Sequence, residues 1–223
     1  MSTAAVITCG GDVSAVLALA RHARHISRLA ATHDDVRVIA ADQGWALAQR
    51  LDLAVDHLVG DLDSLDAADL RVATSRGVDI RRYPADKDDT DLALALQLAH
   101  ELDAREVVVC DGGGDRGDHA VANLLTVAGW AGRMTATLTT STATITMVTR
   151  GRDISGEVGS PVSLLPVFGP VREITTTGLL YQLSDELLSP GSSRGVSNEL
   201  VAPTARISVG SGTLLAVQPG PST

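Results

Sequence analysis

The sequence predicts an α/β fold: a mostly parallel sheet flanked by helices, followed by a small antiparallel β-sandwich domain. Three observations carry this. Short apolar runs alternate with helical patterns through residues 1–140, the signature of a parallel sheet covered on both faces. Nearly every run ends in Gly or Asp. From about residue 135 the texture changes to Thr alternating with apolar residues, a period of two that belongs to strands. The chain has 223 residues; at ~100–200 residues per domain it fits one large or two small domains. We place the boundary near residue 141, giving segments 1–141 and 142–223.

In chain order, Ala4–Thr8 is a strand ending at Cys9-Gly10-Gly11, and Val13–Leu29 is an Ala/Leu-rich helix. Val36–Ala41 is a second strand, ending at Asp42, and Trp45–Leu51 is helical. His57–Val59 is a short extended stretch before Gly60-Asp61, and Val78–Tyr83 is another strand. Asp91–Leu102 is a helix, because Leu92, Ala95, Leu96, Ala99 and Leu102 fall on one face. Val107–Cys110 is a buried strand. His119–Trp130 is a helix with Val121, Leu124, Leu125 and Ala128 predicted on its inner face. Seven strands come after it: Thr135–Leu138, Thr142–Met147, Val162–Leu165, Ile174–Thr176, Leu179–Leu183, Arg206–Val209 and Thr213–Val217. The first of them is close enough to the boundary to belong with the α/β segment.

Composition narrows the function classes. A net charge of −9 disfavours a nucleic-acid partner held by a basic face. Two cysteines exclude a disulfide-rich secreted scaffold. No apolar run approaches the ~18 residues of a membrane span. No Lys or Arg precedes Arg21, so the start does not read as a signal peptide. A cytoplasmic protein is expected. Aromatics are only 2%, so the core must be aliphatic. The 18 basic residues include one Lys, Lys87.

Ligands of open α/β sheets sit beyond the carboxyl ends of the strands, which directs attention to the residues just past each strand. Asp61 and Asp63 flank Leu62 beside Gly60. Read as extended backbone, both carboxylates face one side. Hard oxygen ligands without His/Cys spacing favour Mg²⁺ over Zn²⁺. An EF-hand loop is excluded, since Asp66 and Val72 stand where its Gly and Glu would be. Asp86–Asp91 packs four Asp and the sole Lys into six residues. Thr90 or Asp89 is a helix N-cap there, and the remaining charges need a cation among them. The stretch Asp111-Gly112-Gly113-Gly114-Asp115-Arg116-Gly117-Asp118-His119 is a Gly-rich loop entering a helix, a setting that suits anions. It has neither the Rossmann nor the Walker A pattern. Cys9 and Cys110 read as buried small apolar residues, since there is no C-x-x-C. Together these residues suggest Mg²⁺-assisted phosphoryl or diphosphoryl transfer from a nucleotide.

The ordered motifs resemble the thiamine pyrophosphokinase family. They are Ala41-Asp42-Gln43-Gly44, Gly60-Asp61-Leu62-Asp63-Ser64, Lys87-Asp88-Asp89-Thr90-Asp91, Gly114-Asp115-Arg116-Gly117-Asp118-His119 and Gly195-Val196-Ser197-Asn198. The resemblance implies an α/β catalytic, nucleotide-binding domain and a β-sandwich thiamine-binding domain. It implies Mg²⁺-dependent transfer of diphosphate from ATP to the thiamine hydroxyl, with release of AMP. It further implies Asp61, Asp63 and Asp91 as metal ligands, and Asp42, Asp63 and Asp118 as catalytic residues. Lys87, Thr90, Arg116 and Asp118 would bind the nucleotide; Tyr181, Ser197 and Asn198 would bind thiamine. A homodimer with an active site shared between chains is implied as well. The chain departs from the family pattern at Gln43, Asp111 and Asp115, each of which stands where a glycine is usual. Alternatives are a diphosphokinase for another alcohol such as a pterin, a non-catalytic thiamine- or nucleotide-binding homologue, and a phosphatase using Asp61 and Asp63.

Overall fold

The computed structural model describes residues 2–10, 16–111 and 116–220. Its chain divides into two compact units, Met1–Ser141 and Thr142–Thr223.

The first unit alternates strand and helix: β1 Thr3–Cys9, α1 Val16–Thr32, β2 Asp35–Ala41, α2 Gly44–Arg50, β3 His57–Gly60, α3 Ala67–Ser75, β4 Asp79–Arg82, α4 Asp91–Glu101, β5 Glu106–Asp111, α5 Gly117–Trp130 and β6 Thr135–Thr139. The strands lie in the order β4-β3-β2-β1-β5-β6, every pairing parallel. β1 and β5 are buried at almost every position, as strands covered on both faces must be. One face carries Ala4, Val6, Val38, Val108 and Cys110 against Leu29 and Leu47 of α1 and α2. α4 lies along β1, β2 and β3 and packs on α5.

The strand order reverses between β1 and β5, because the chain leaves β4 at one edge and returns to the far side of β1. Such a reversal opens a crevice at the strands' carboxyl ends. The close approach of α2 to β1 depends on Gly44: a Cβ there would sit 1.8 Å from the Thr8 carbonyl oxygen.

The second unit is antiparallel: β7 Ala143–Val148, β8 Gly151–Ser155, β9 Pro161–Thr177, β10 Glu186–Leu188, β11 Asn198–Glu199, β12 Thr204–Ser208 and β13 Ser211–Pro219. β13 pairs with β7 and with the first half of β9; β12 pairs with β8 and with the end of β9. One core, including Val162, Leu164, Ile174, Leu188, Ile207 and Leu214, serves every one of them but β11.

Several sequence expectations change. The two strands Val162–Leu165 and Ile174–Thr176 are one long strand, β9. The Pro and Gly residues between them bend it without ending it: Phe168 is left-handed at φ 62°, and the register with β13 shifts between Ser211 and Thr213. That is a bulge, which spends an extra residue to turn a strand. Leu179–Leu183 is not a strand; only Leu179 bridges, to Leu200. The helix α3 and the short strands β8, β10 and β11 carried no periodic signal. α3 is set by Asp66, whose side chain accepts the Ala68 and Asp69 amides. Of the face predicted for α5, Ala128 is buried and Leu124 half-buried, whereas Val121 and Leu125 are exposed and Val127 is buried in their place. Thr135–Leu138 belongs to the first unit as β6, parallel to β5. The Gly11 turn and the first residues of the predicted Val13–Leu29 helix lie outside the described residues.

Candidate functional site

A cleft of about 530 Å³ opens at the reversal point of the sheet. Cys9 and Gly10 end β1 in its floor, and Asp111 ends β5. Ala41, Asp42 and Gln43 lie at the end of β2 on one side. Thr90 and Asp91 start α4, and Arg116, Asp118, His119 and Asn123 belong to the start of α5. Helix starts present unpaired amides, so this end of the sheet suits an anion.

Next to it, three carboxylates converge. Asp42, Asp61 and Asp63 each offer an oxygen within 4.8 Å of the others. They come from two different strand ends, β2 and β3. Asp42 takes a left-handed backbone (φ 44°), and its amide donates to the Val59 carbonyl at 2.9 Å. The Ser64 hydroxyl donates to Asp42 Oδ2 at 2.6 Å, while the buried Oδ1 has no hydrogen-bond partner among the described residues. The stretch from Asp61 to Asp63 is not the extended backbone expected from the sequence. Leu62 between them is left-handed (φ 61°), and the Asp63 amide donates to Asp61 Oδ1 at 3.2 Å. That backbone donor, with Lys87 adding to it, holds the Asp61 carboxyl below its usual range. Gly60 lets these strand ends meet: at φ 148°, a Cβ there would lie 3.1 Å from Asp42 Cβ and 3.2 Å from Asp91 Cγ.

Lys87 closes the cluster. Its ammonium lies 3.2 Å from Asp91 Oδ1 and 3.6 Å from Asp61 Oδ2, and donates to the Pro84 carbonyl. Burial pushes Lys87 down, but Asp91 and Asp61 outweigh it and hold the ammonium more firmly protonated than usual. Asp91 itself is raised, chiefly by burial, against the opposing pull of Lys87. So Asp91 is tied to Lys87, and Asp42 stands with Asp61 and Asp63. Thr90 caps α4 through its hydroxyl, which accepts the Ala93 amide at 3.2 Å.

At the cleft's other wall, Arg116 forks onto Asp118 with bonds of 3.0 and 2.7 Å. The guanidinium holds the Asp118 carboxyl far below the ordinary carboxylate range. Asp111 is buried and accepts from Asn123 Nδ2 at 3.1 Å. Cys9 and Cys110 are buried free thiols; burial pushes Cys110 up to about 12, well away from a reactive thiolate. Asp115 lies outside the described residues. Sequence reasoning did not single out Ser64 or Asn123, both of which hold a carboxylate of the site. The Ser64 signal was available as the last residue of Gly-Asp-x-Asp-Ser. Asn123 carried none.

In the second unit, Tyr181 is 66% exposed. Asn198 is buried and its amide is engaged: Oδ1 accepts the Tyr181 and Glu199 amides at 2.9 Å, and Nδ2 donates to the Tyr181 carbonyl at 2.7 Å. It thus fixes the backbone that presents the Tyr181 ring. Ser197 is exposed and left-handed (φ 60°), its amide bonded to Ser163 Oγ.

Comparison with known proteins bears on the family and the fold. Residues 30–138 match the family model for the thiamin pyrophosphokinase catalytic domain. Residues 152–214 match the model for the thiamin pyrophosphokinase vitamin B1 binding domain. A thiamine pyrophosphokinase of Bacillus subtilis (strain 168) is 27% identical over 183 residues, covering 81% of this chain and 86% of that protein. A crystal structure of thiamine pyrophosphokinase from Bacillus subtilis superposes with a TM-score of 0.80 at 22% identity, over 99% of this chain and 100% of the other. One from Geobacillus thermodenitrificans gives 0.76 at 25% identity, over 99% of each.

Proposed function

The chain belongs to the thiamin pyrophosphokinase family, and on that premise we propose that it transfers a diphosphate from ATP to the hydroxyl of thiamine, giving thiamine diphosphate and AMP. The observation that carries this reading is the meeting of Asp42, Asp61 and Asp63 beside a cleft walled by Arg116. An all-oxygen donor set with the partnerless Asp42 Oδ1 fits a hard divalent cation. Asp42, Asp61 and Asp63 would hold Mg²⁺, with Asp91 and Lys87 completing the charge balance around them. A bound Mg²⁺ supplies neutralisation of the charge on the transferring phosphates.

The rest is done by side chains. Arg116 offers a planar fork suited to phosphate, and Thr90 sets the start of α4 at the cleft. The thiamine hydroxyl oxygen forms a bond to the β-phosphorus as the bond from that phosphorus to the AMP oxygen breaks. The hydroxyl proton needs an acceptor. Asp118, paired with Arg116 at the cleft wall, and Asp42 are the carboxylates that would accept it. Tyr181 would pack on a thiamine ring, Asn198 would hold that tyrosine in place, and Ser197 would bond the ligand. We further propose a homodimer and a cytoplasmic location; among the described residues no helix is long and apolar enough to cross a membrane.

The test is product analysis. Purified protein with ATP, Mg²⁺ and thiamine should yield thiamine diphosphate and AMP in equal amounts. Thiamine monophosphate with ADP would make it a monophosphoryl kinase. Turnover of a pterin alcohol but not thiamine would move it to another substrate. Binding of both ligands without AMP release would make it a non-catalytic homologue.

A further inference from the structure

The turn that carries Asp61 and Asp63 is built around an unexpected residue. Leu62 sits at φ 61°, a region open to Gly, Asn and Asp but unfavourable for a bulky apolar side chain. An ordinary surface turn would place one of those residues here. Leu62 is instead 3% exposed and packs with Trp45, Leu58, Ala73 and Val78. The burial of the side chain holds the backbone in the strained conformation.

The consequence lies on either side of it. An extended tripeptide would set the Asp61 and Asp63 backbones ~6.6 Å apart. The left-handed step folds them together, so that the Asp63 amide reaches Asp61 Oδ1 and the Ser64 hydroxyl reaches Asp42 Oδ2. All three carboxylates then come within 4.8 Å of one another. Local strain held in place by packing is how a site is preorganised.

We propose that Leu62 is a positioning residue for the divalent-cation site, acting through the left-handed backbone that its burial enforces. This rests on the reading of Asp42, Asp61 and Asp63 as cation ligands. The test compares Leu62→Met and Leu62→Val. Both stay apolar, but β-branched Val resists the left-handed region, whereas Met keeps the unbranched Cβ and the volume. Mn²⁺ binding to the purified protein is measured by calorimetry, and half-saturating Mg²⁺ by turnover, with thermal unfolding to check folding.

Leu62→Met should bind Mn²⁺ within about threefold of the parent, and Leu62→Val at least about tenfold more weakly, the scale of losing a ligand-orienting neighbour. Half-saturating Mg²⁺ should rise in parallel, with the KM for thiamine unchanged. Equal Mn²⁺ binding by a folded Leu62→Val would overturn the proposal. If Leu62→Val does not fold, Leu62→Gly takes its place: it keeps access to the left-handed region but loses the packing, and must also weaken Mn²⁺ binding. Asp63→Asn separates the two ideas. If it binds Mn²⁺ as the parent does, the ligand assignment has failed; if it loses binding while Leu62→Val retains it, only the role of Leu62 has failed.

Discussion

At the residue scale, Asp63, which we propose as a cation ligand, contrasts with a side chain that serves the fold. It is exposed, and its own carboxylate caps no helix; its neighbours are Asp42 and Asp61. Three like charges at this distance repel unless a cation lies among them. Replacing Asp63 with Asn should therefore lower turnover by about two orders of magnitude or more, as for other electrostatic groups at a reacting centre. It should leave the thermal midpoint unchanged or slightly raised, since it relieves repulsion. Turnover assays beside thermal denaturation check this, and near-parental turnover would remove Asp63 from the cation site. Asn198 is the opposite case. Its amide is spent on the Tyr181 and Glu199 backbone, so its effect at the thiamine site that we propose would pass through the tyrosine it holds.

At the scale of elements, α4 couples stability to the site. Its N-cap is Thr90 and its first residue is Asp91, which is paired with Lys87. Thr90→Ala removes the cap and should cost about 1 kcal/mol of stability. Fraying of that first turn also frees Asp91 and Lys87, so turnover should fall together with the unfolding midpoint. Thr90→Ser keeps the hydroxyl and should restore both; a serine variant as impaired as alanine would show that the cap is not the cause. The helix α4 was legible in the sequence because Leu92, Ala95, Leu96 and Ala99 repeat at helical spacing and are indeed buried. In α5 the same reasoning placed Ala128 correctly but not Val121 and Leu125, which are exposed. Apolar residues surround that helix, so periodicity alone could not say which side meets the sheet.

On the scale of the whole molecule, the first unit hides a buried histidine beneath its sheet. His22 on α1 is fully buried, with Nδ1 2.6 Å from Thr139 Oγ1 on β6. Burial, with Arg21 and His25 beside it, lowers its pKa from 6.5 to about 4. The unfolded chain therefore binds the extra proton first. Stability from this group is complete above about pH 6.5 and is lost as the pH falls towards about 4. The full shift corresponds to ~3 kcal/mol. His22→Gln, neutral at every pH, should flatten this acid limb, so its deficit against the parent shrinks between pH 6.5 and 4. Thermal midpoints measured across that range check the prediction; parallel curves for the two proteins would refute it.

The class of the fold was written in local pattern alone. Alternating apolar runs and helical patterns require a covered parallel sheet, and Thr alternation requires half-buried strands, because burial periodicity is a local property of the backbone. Local pattern also marked the strand ends as the place for chemistry, since Gly and Asp there are hard to account for otherwise. Long-range packing settled what local pattern could not. It joined two predicted strands into the bent β9, and it dissolved Leu179–Leu183 into a segment held by Asn198. It drew Asp42 from one strand end to Asp61 and Asp63 at another, while Asp91 went to Lys87. These outcomes depend on residues distant in sequence meeting in space: a left-handed Leu62 is chosen by the core it fills, and no spacing along the chain encodes that core.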